Sequence, residues 1–106
     1  MKKYDMKNMI RGWFIGDFTP TAFSTDSCEV AFKKYKAGDY EEKHLHKIGT
    51  EITMVINGKV TMNGVEYKEG DIILIESGEA TDFKALTDVR TIVVKVPGAK
   101  EDKYLV

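Results

Sequence analysis

Apolar and polar positions alternate along most of this chain, and no stretch holds the spacing of an amphipathic helix. From Glu29, the residues Val30, Phe32 and Lys34 alternate with Ala31, Lys33 and Tyr35, the pattern of a half-buried strand. Residues 43–47 alternate over a shorter run, and residues 50–56 are rich in β-branched side chains. Asn57-Gly58 follows, then residues 59–62, then Asn63-Gly64. An Asn-Gly pair suits a two-residue type I′ turn, because both turn positions need positive φ. The two pairs therefore predict a tight meander. Residues 72–75, 81–86 and 89–96 read as further strands, with turns at Glu69-Gly70-Asp71, Ser77-Gly78-Glu79 and Thr87-Asp88, and Pro97-Gly98 ends the last. About eight to ten short strands at this spacing predict an all-β sandwich or barrel. One domain is expected over residues 1–106, with 1–18 an arm or edge strand, 28–96 the barrel core and 97–106 a tail.

Length and charge narrow the picture. A chain of 106 residues can bury one core without staples. The net charge of −1 offers no basic excess to draw nucleic acid or an anionic membrane. The single cysteine, Cys28, excludes an intramolecular disulfide and fits a reducing compartment. No apolar run approaches the ~18 residues of a membrane span, and the first residues lack the apolar core of a signal peptide. A cytoplasmic protein is expected. Trp13, Phe14 and Phe18 read first as core or edge packing, with a pocket wall or a subunit contact as the alternatives.

The candidate chemistry lies in the only two histidines, His44 and His46. Residues i and i+2 of a strand point to one face, so both imidazoles can reach one ion. Glu51 starts the next strand across a short loop and can fold back toward them. Two imidazoles and a carboxylate suit Zn, Fe, Ni or Mn and leave coordination positions open. Alone, a His-x-His pair is weak evidence, since surface histidines satisfy it equally.

The flanking residues add to it. Gly38, His44, His46, Glu51 and Gly58 stand in the order and spacing of the first cupin motif, and the chain resembles that family from about residue 35 to 96. The resemblance implies a double-stranded β-helix, or jelly-roll barrel. It also implies that His44, His46 and Glu51 are three of the usual metal ligands, facing into the barrel. The second cupin motif is kept in part. Glu76 stands where the family usually has Pro, Thr81 where it has the fourth ligand, His, and Ala85 where it has Asn. The fourth position is left to water, to Thr81, or to Asp82 if a bulge shifts the strand by one. Tyr35, Tyr40 and Phe83 are candidates for the pocket wall. Small cupins also resemble homodimers in which an N-terminal strand crosses between subunits, and Trp13 is a candidate for that contact.

Two functions of different class follow. One is a metal-dependent enzyme, an isomerase, epimerase, decarboxylase or dioxygenase, acting on a small carbohydrate-like or carboxylate substrate. The other is a non-catalytic barrel, metal-bound or metal-free, that binds a sugar or effector. A dimeric scaffold is a third. Fold alone does not choose among them.

Overall fold

The computed structural model describes all 106 residues as ten strands and one short 3-10 turn, Met6–Asn8. In chain order the strands are β1 (Trp13–Ile15), β2 (Glu29–Tyr35), β3 (Tyr40–Leu45), β4 (Thr50–Asn57), β5 (Lys59–Met62), β6 (Val65–Lys68), β7 (Ile72–Ile75), β8 (Thr81–Ala85), β9 (Val89–Val96) and β10 (Tyr104–Leu105). They form two antiparallel five-stranded sheets, ordered β1-β2-β9-β4-β7 and β10-β3-β8-β5-β6. Consecutive strands mostly change sheet, so the chain winds round a barrel, as a double-stranded β-helix does. No helix is long and apolar enough to cross a membrane.

The expected meander is half right. Asn63 and Gly64 both take positive φ and join β5 to β6 as a hairpin. Asn57 does not take positive φ, and β4 and β5 lie in different sheets. Asn57-Gly58 is instead a corner. The β4–β9 register shifts between Val55 and Asn57, and the Asn57 side chain accepts the Arg90 backbone N–H at 3.1 Å. Gly58 has φ of 93°, and a Cβ there would collide with the Asp88 carbonyl. Sequence alone shows the pair's fitness for positive φ but not this long-range pairing.

One end of the barrel is closed by apolar side chains. Val55, Val60, Met62, Ile75, Phe83, Ala85 and Val89 form its core, with Tyr35, Tyr67 and Ile73 packed against it. Each of the larger fully buried aliphatics contributes roughly 1.5–3 kcal/mol. Toward the other end the inward positions become polar, and a cleft of about 1130 Å³ opens there. β1 lies along the edge of the first sheet, paired with β2 of its own chain. The tail is not loose: β10 pairs with β3 opposite His44 and Leu45.

The outer face of the first sheet is unusually apolar. Val30, Val94, Ile52 and Leu74 lie in one row across four strands, and Phe32, Ile92, Met54 and Ile72 in the next outward-facing row. Ile72 and Leu74 are more than half exposed, at 68% and 56%.

Candidate functional site

β3 and the loop after it deliver both histidines to the cleft. The β3–β8 register shifts between Glu41 and His44, and His44 then pairs with Thr81. The two rings meet edge to face, with centroids 5.3 Å apart. Each ring has its Nδ1 against a backbone carbonyl, His44 with Glu42 at 2.9 Å and His46 with Asp102 at 2.7 Å. A carbonyl only accepts, so Nδ1 carries the proton and Nε2 of the neutral ring keeps the lone pair.

Glu51 enters from the start of β4. Its Oε1 lies 3.6 Å from His46 Nε2, and both side chains are largely buried. The Glu51 carboxylate raises the His46 pKa; burial works against it, and the Asp102 carbonyl adds to it. Lys95, which stands beside Glu51 in the β4–β9 register, opposes the rise. Thr53 donates a long 3.5 Å hydrogen bond to the other Glu51 oxygen.

The chemistry of this set fits a divalent ion: two imidazoles with the right tautomers and one carboxylate. The fold does not preform a closed cage, since no three His, Cys, Asp or Glu side chains stand close enough together to hold a metal. Of the residues weighed for the fourth position, Thr81 is buried and faces the barrel beside His44, with its hydroxyl donating to the Asp82 carbonyl at 2.7 Å. Asp82 belongs to the other face of β8. Its carboxylate accepts the Asn63 N–H at 2.7 Å, on the β5–β6 hairpin. The register shift that would have turned it inward falls in β3, and β8 keeps its alternation, with Thr81, Phe83 and Ala85 buried.

The wall candidates divide similarly. Tyr35 stacks on Phe83 at 4.5 Å and donates its hydroxyl to Glu41 at 2.6 Å. Burial, then the Glu41 carboxylate, hold the phenol protonated far above its ordinary range. Tyr40 also lines the cleft but is 57% exposed, at its rim.

Two groups of residues at the site were not legible in the sequence. The first is Asp102, read as part of a polar tail. It is 5% exposed, and its carboxylate accepts the backbone N–H groups of Lys47, Ile48 and Gly49 at 2.8–3.1 Å. Burial alone would raise its pKa, but these three donors outweigh burial and lower it, with His46 adding to the effect. The second is a set of inward charges, Glu29, Lys33 and Lys95. Lys95 pairs with Glu29 at 3.3 Å. A charged residue in an alternating strand does not declare which face is the barrel's.

No protein-family model and no curated protein sequence matches the chain. Solved structures do. A protein with a double-stranded β-helix domain from Klebsiella pneumoniae subsp. pneumoniae MGH 78578 superposes with a TM-score of 0.70 and 22% identity, over 77% of this chain and 72% of that one. An RmlC-like cupin from Desulfovibrio desulfuricans gives 0.62 at 20% identity, over 69% and 74%. This chain has the cupin fold. DMSP lyase DddQ from Ruegeria pomeroyi DSS-3 shares the barrel as well, with a TM-score of 0.73 and 20% identity over 89% of this chain, which spans about half, 49%, of the lyase. At these identities the likeness is one of fold, and the function of this cupin barrel has to be argued from its own residues.

Proposed function

We propose that this cupin barrel binds a small polar molecule in its cleft, at a divalent metal ion held by His44, His46 and Glu51. The observation that carries the reading is the pair of Nδ1 contacts to backbone carbonyls, which leaves both Nε2 lone pairs for a ligand-bound ion beside a carboxylate. Held by these residues, such an ion would supply Lewis-acid chemistry toward a carbonyl or hydroxyl of the bound molecule. The chain's own part is to orient the imidazoles, to keep the Tyr35 hydroxyl protonated at the wall, and to close the far end with an apolar plug. The reaction belongs to the Lewis-acid class, isomerisation or epimerisation, when the ion is redox-inert, and to oxygen chemistry when it is iron.

A second reading is a metal-free binding barrel. It is favoured by the His46–Glu51 contact, which becomes an ion pair when His46 is protonated and then engages two of the three donors. Elemental analysis of untagged protein separates the two. Near-stoichiometric metal in the wild type, lost in His44→Ala, is the expected result. Wild-type protein that stays metal-free after reconstitution would leave the second reading.

The assembly is proposed to be a homodimer formed through the outer face of the first sheet. Eight apolar side chains in two rows across four strands make a patch that a monomer rarely leaves open.

A further inference from the structure

Barrel interiors are usually apolar, and ammonium groups seldom point into them. Here three inward rows cross β2, β9 and β4. The first is Glu29, Lys95 and Glu51; the second is Ala31, Val93 and Thr53; the third is Lys33, Thr91 and Val55. The middle row is short-chained, so it forms a trough between two charged or polar rows. Trp13 pairs with Ala31 at the edge of that trough. Lysines from the rows on either side reach its ring. The Lys33 Nζ lies 5.0 Å from the indole centroid and the Lys95 Nζ 4.7 Å.

Two ammonium groups against one indole repel each other, and only one of them is ion-paired. Lys95 has Glu29. Lys33 is half-buried and takes part in none of the four ion pairs of the chain. Burial lowers its pKa; Glu41 opposes this, while Arg11, Lys95 and Lys103 add to it. Glu41 is itself engaged by the Tyr35 hydroxyl. Beside Lys33 in the register, Thr91 is fully buried, and its hydroxyl has no hydrogen-bond partner. An ammonium outside every ion pair of the chain and an orphaned hydroxyl therefore stand side by side in one cleft.

We propose that Lys33, Lys95 and Trp13 form an anion subsite that takes the carboxylate of a small organic acid, with the Thr91 hydroxyl at its floor. The ligand of the barrel is then an acid, not a neutral sugar. The indole holds both ammonium groups in place and keeps water from them, which strengthens a charge-assisted hydrogen bond to a carboxylate oxygen. The inference rests on the reading of the cleft as a small-molecule site, but not on the metal.

Trp13 is the only tryptophan, so intrinsic fluorescence reports on the subsite directly. The probes are glycolate and malate, with glycolamide as the uncharged match, titrated at constant ionic strength into metal-loaded and EDTA-treated protein. Both acids are expected to give a saturable fluorescence change in both preparations. Glycolamide is expected to bind at least about tenfold more weakly, and Lys33→Met to weaken the acids by about tenfold while leaving glycolamide unchanged. Lys33→Arg, which keeps the charge, restores acid binding, and circular dichroism checks that both variants fold. Equal response to acid and amide, or unaltered acid binding in Lys33→Met, overturns the subsite. Acid binding seen only in metal-loaded protein overturns it too, because the carboxylate is then a metal ligand. Acid binding that survives EDTA and falls in Lys33→Met supports the subsite even where the metal reading has failed.

Discussion

The backbone carbonyl of Asp102 accepts the Nδ1 proton of His46 at 2.7 Å, across a sequence separation of 56 residues. The same residue's carboxylate gathers the N–H groups of the loop that follows His46. One residue thus fixes both the tautomer of a candidate ligand and the path from β3 to β4.

Ending the chain after Gly98 removes this clasp and β10 together. The shortened protein should fold, because the apolar plug lies in strands it retains. Its metal affinity should fall by about 10–100-fold, the usual effect of losing the partner that orients a ligating histidine. Competition against a chelating dye measures the change.

Asp102→Asn tests the carboxylate alone. It replaces an acceptor-only group with an amide that cannot accept all three N–H donors, and stability should fall by on the order of 2 kcal/mol at neutral pH. The folded pKa of Asp102 lies below its ordinary value, so its contribution is complete above about pH 4 and is lost as pH falls through the lowered pKa. The gap between wild type and variant in urea unfolding should therefore narrow on acidification. A gap that is the same at neutral pH and well below pH 4 would remove the carboxylate from this account.

In metal-free protein, the NMR titration of His46 should be displaced upward. Glu51→Gln should bring it down toward about 6.5, since the largest cause of the rise is removed. A raised folded pKa means that the His46–Glu51 pair stabilises fully below about pH 6.5 and ceases to as pH climbs through the raised value. The wild type should lose that contribution at high pH, and Glu51→Gln should show no such loss.

Met54 sits between Ile92 and Ile72 in the outer apolar row. Met54→Lys should abolish the proposed dimer without loss of fold, because the side chain points away from the barrel. Light scattering on the eluting protein reads the mass of each species.

Much of the fold could be read from turn residues and alternation. Residues 50–56, rich in β-branched side chains, the apolar run 72–75 and residues 81–86 read as strands and became β4, β7 and β8. Strand parity at i and i+2 made the nearness of His44 and His46 legible, and the short loop before β4 that of Glu51 to His46. What escaped was the sidedness of β2 and β9. Val30, Phe32, Ile92 and Val94 are apolar yet face outward, while Glu29, Lys33 and Lys95 face inward. With two apolar faces, alternation shows that residues differ in side but not which side is enclosed. Asp102 escaped for another reason. Its neighbours Glu101 and Lys103 are exposed, and its burial depends on a loop made more than 50 residues earlier.

That long separation has a consequence for a chain under synthesis. His44, His46 and Glu51 are made early, and the His44 acceptor, Glu42, is made with them. The His46 acceptor arrives only with residue 102. Until then the nascent protein carries a histidine whose neutral ring can hold its proton at either nitrogen. The tautomer of His46 is therefore set late, when translation has passed the last buried carboxylate.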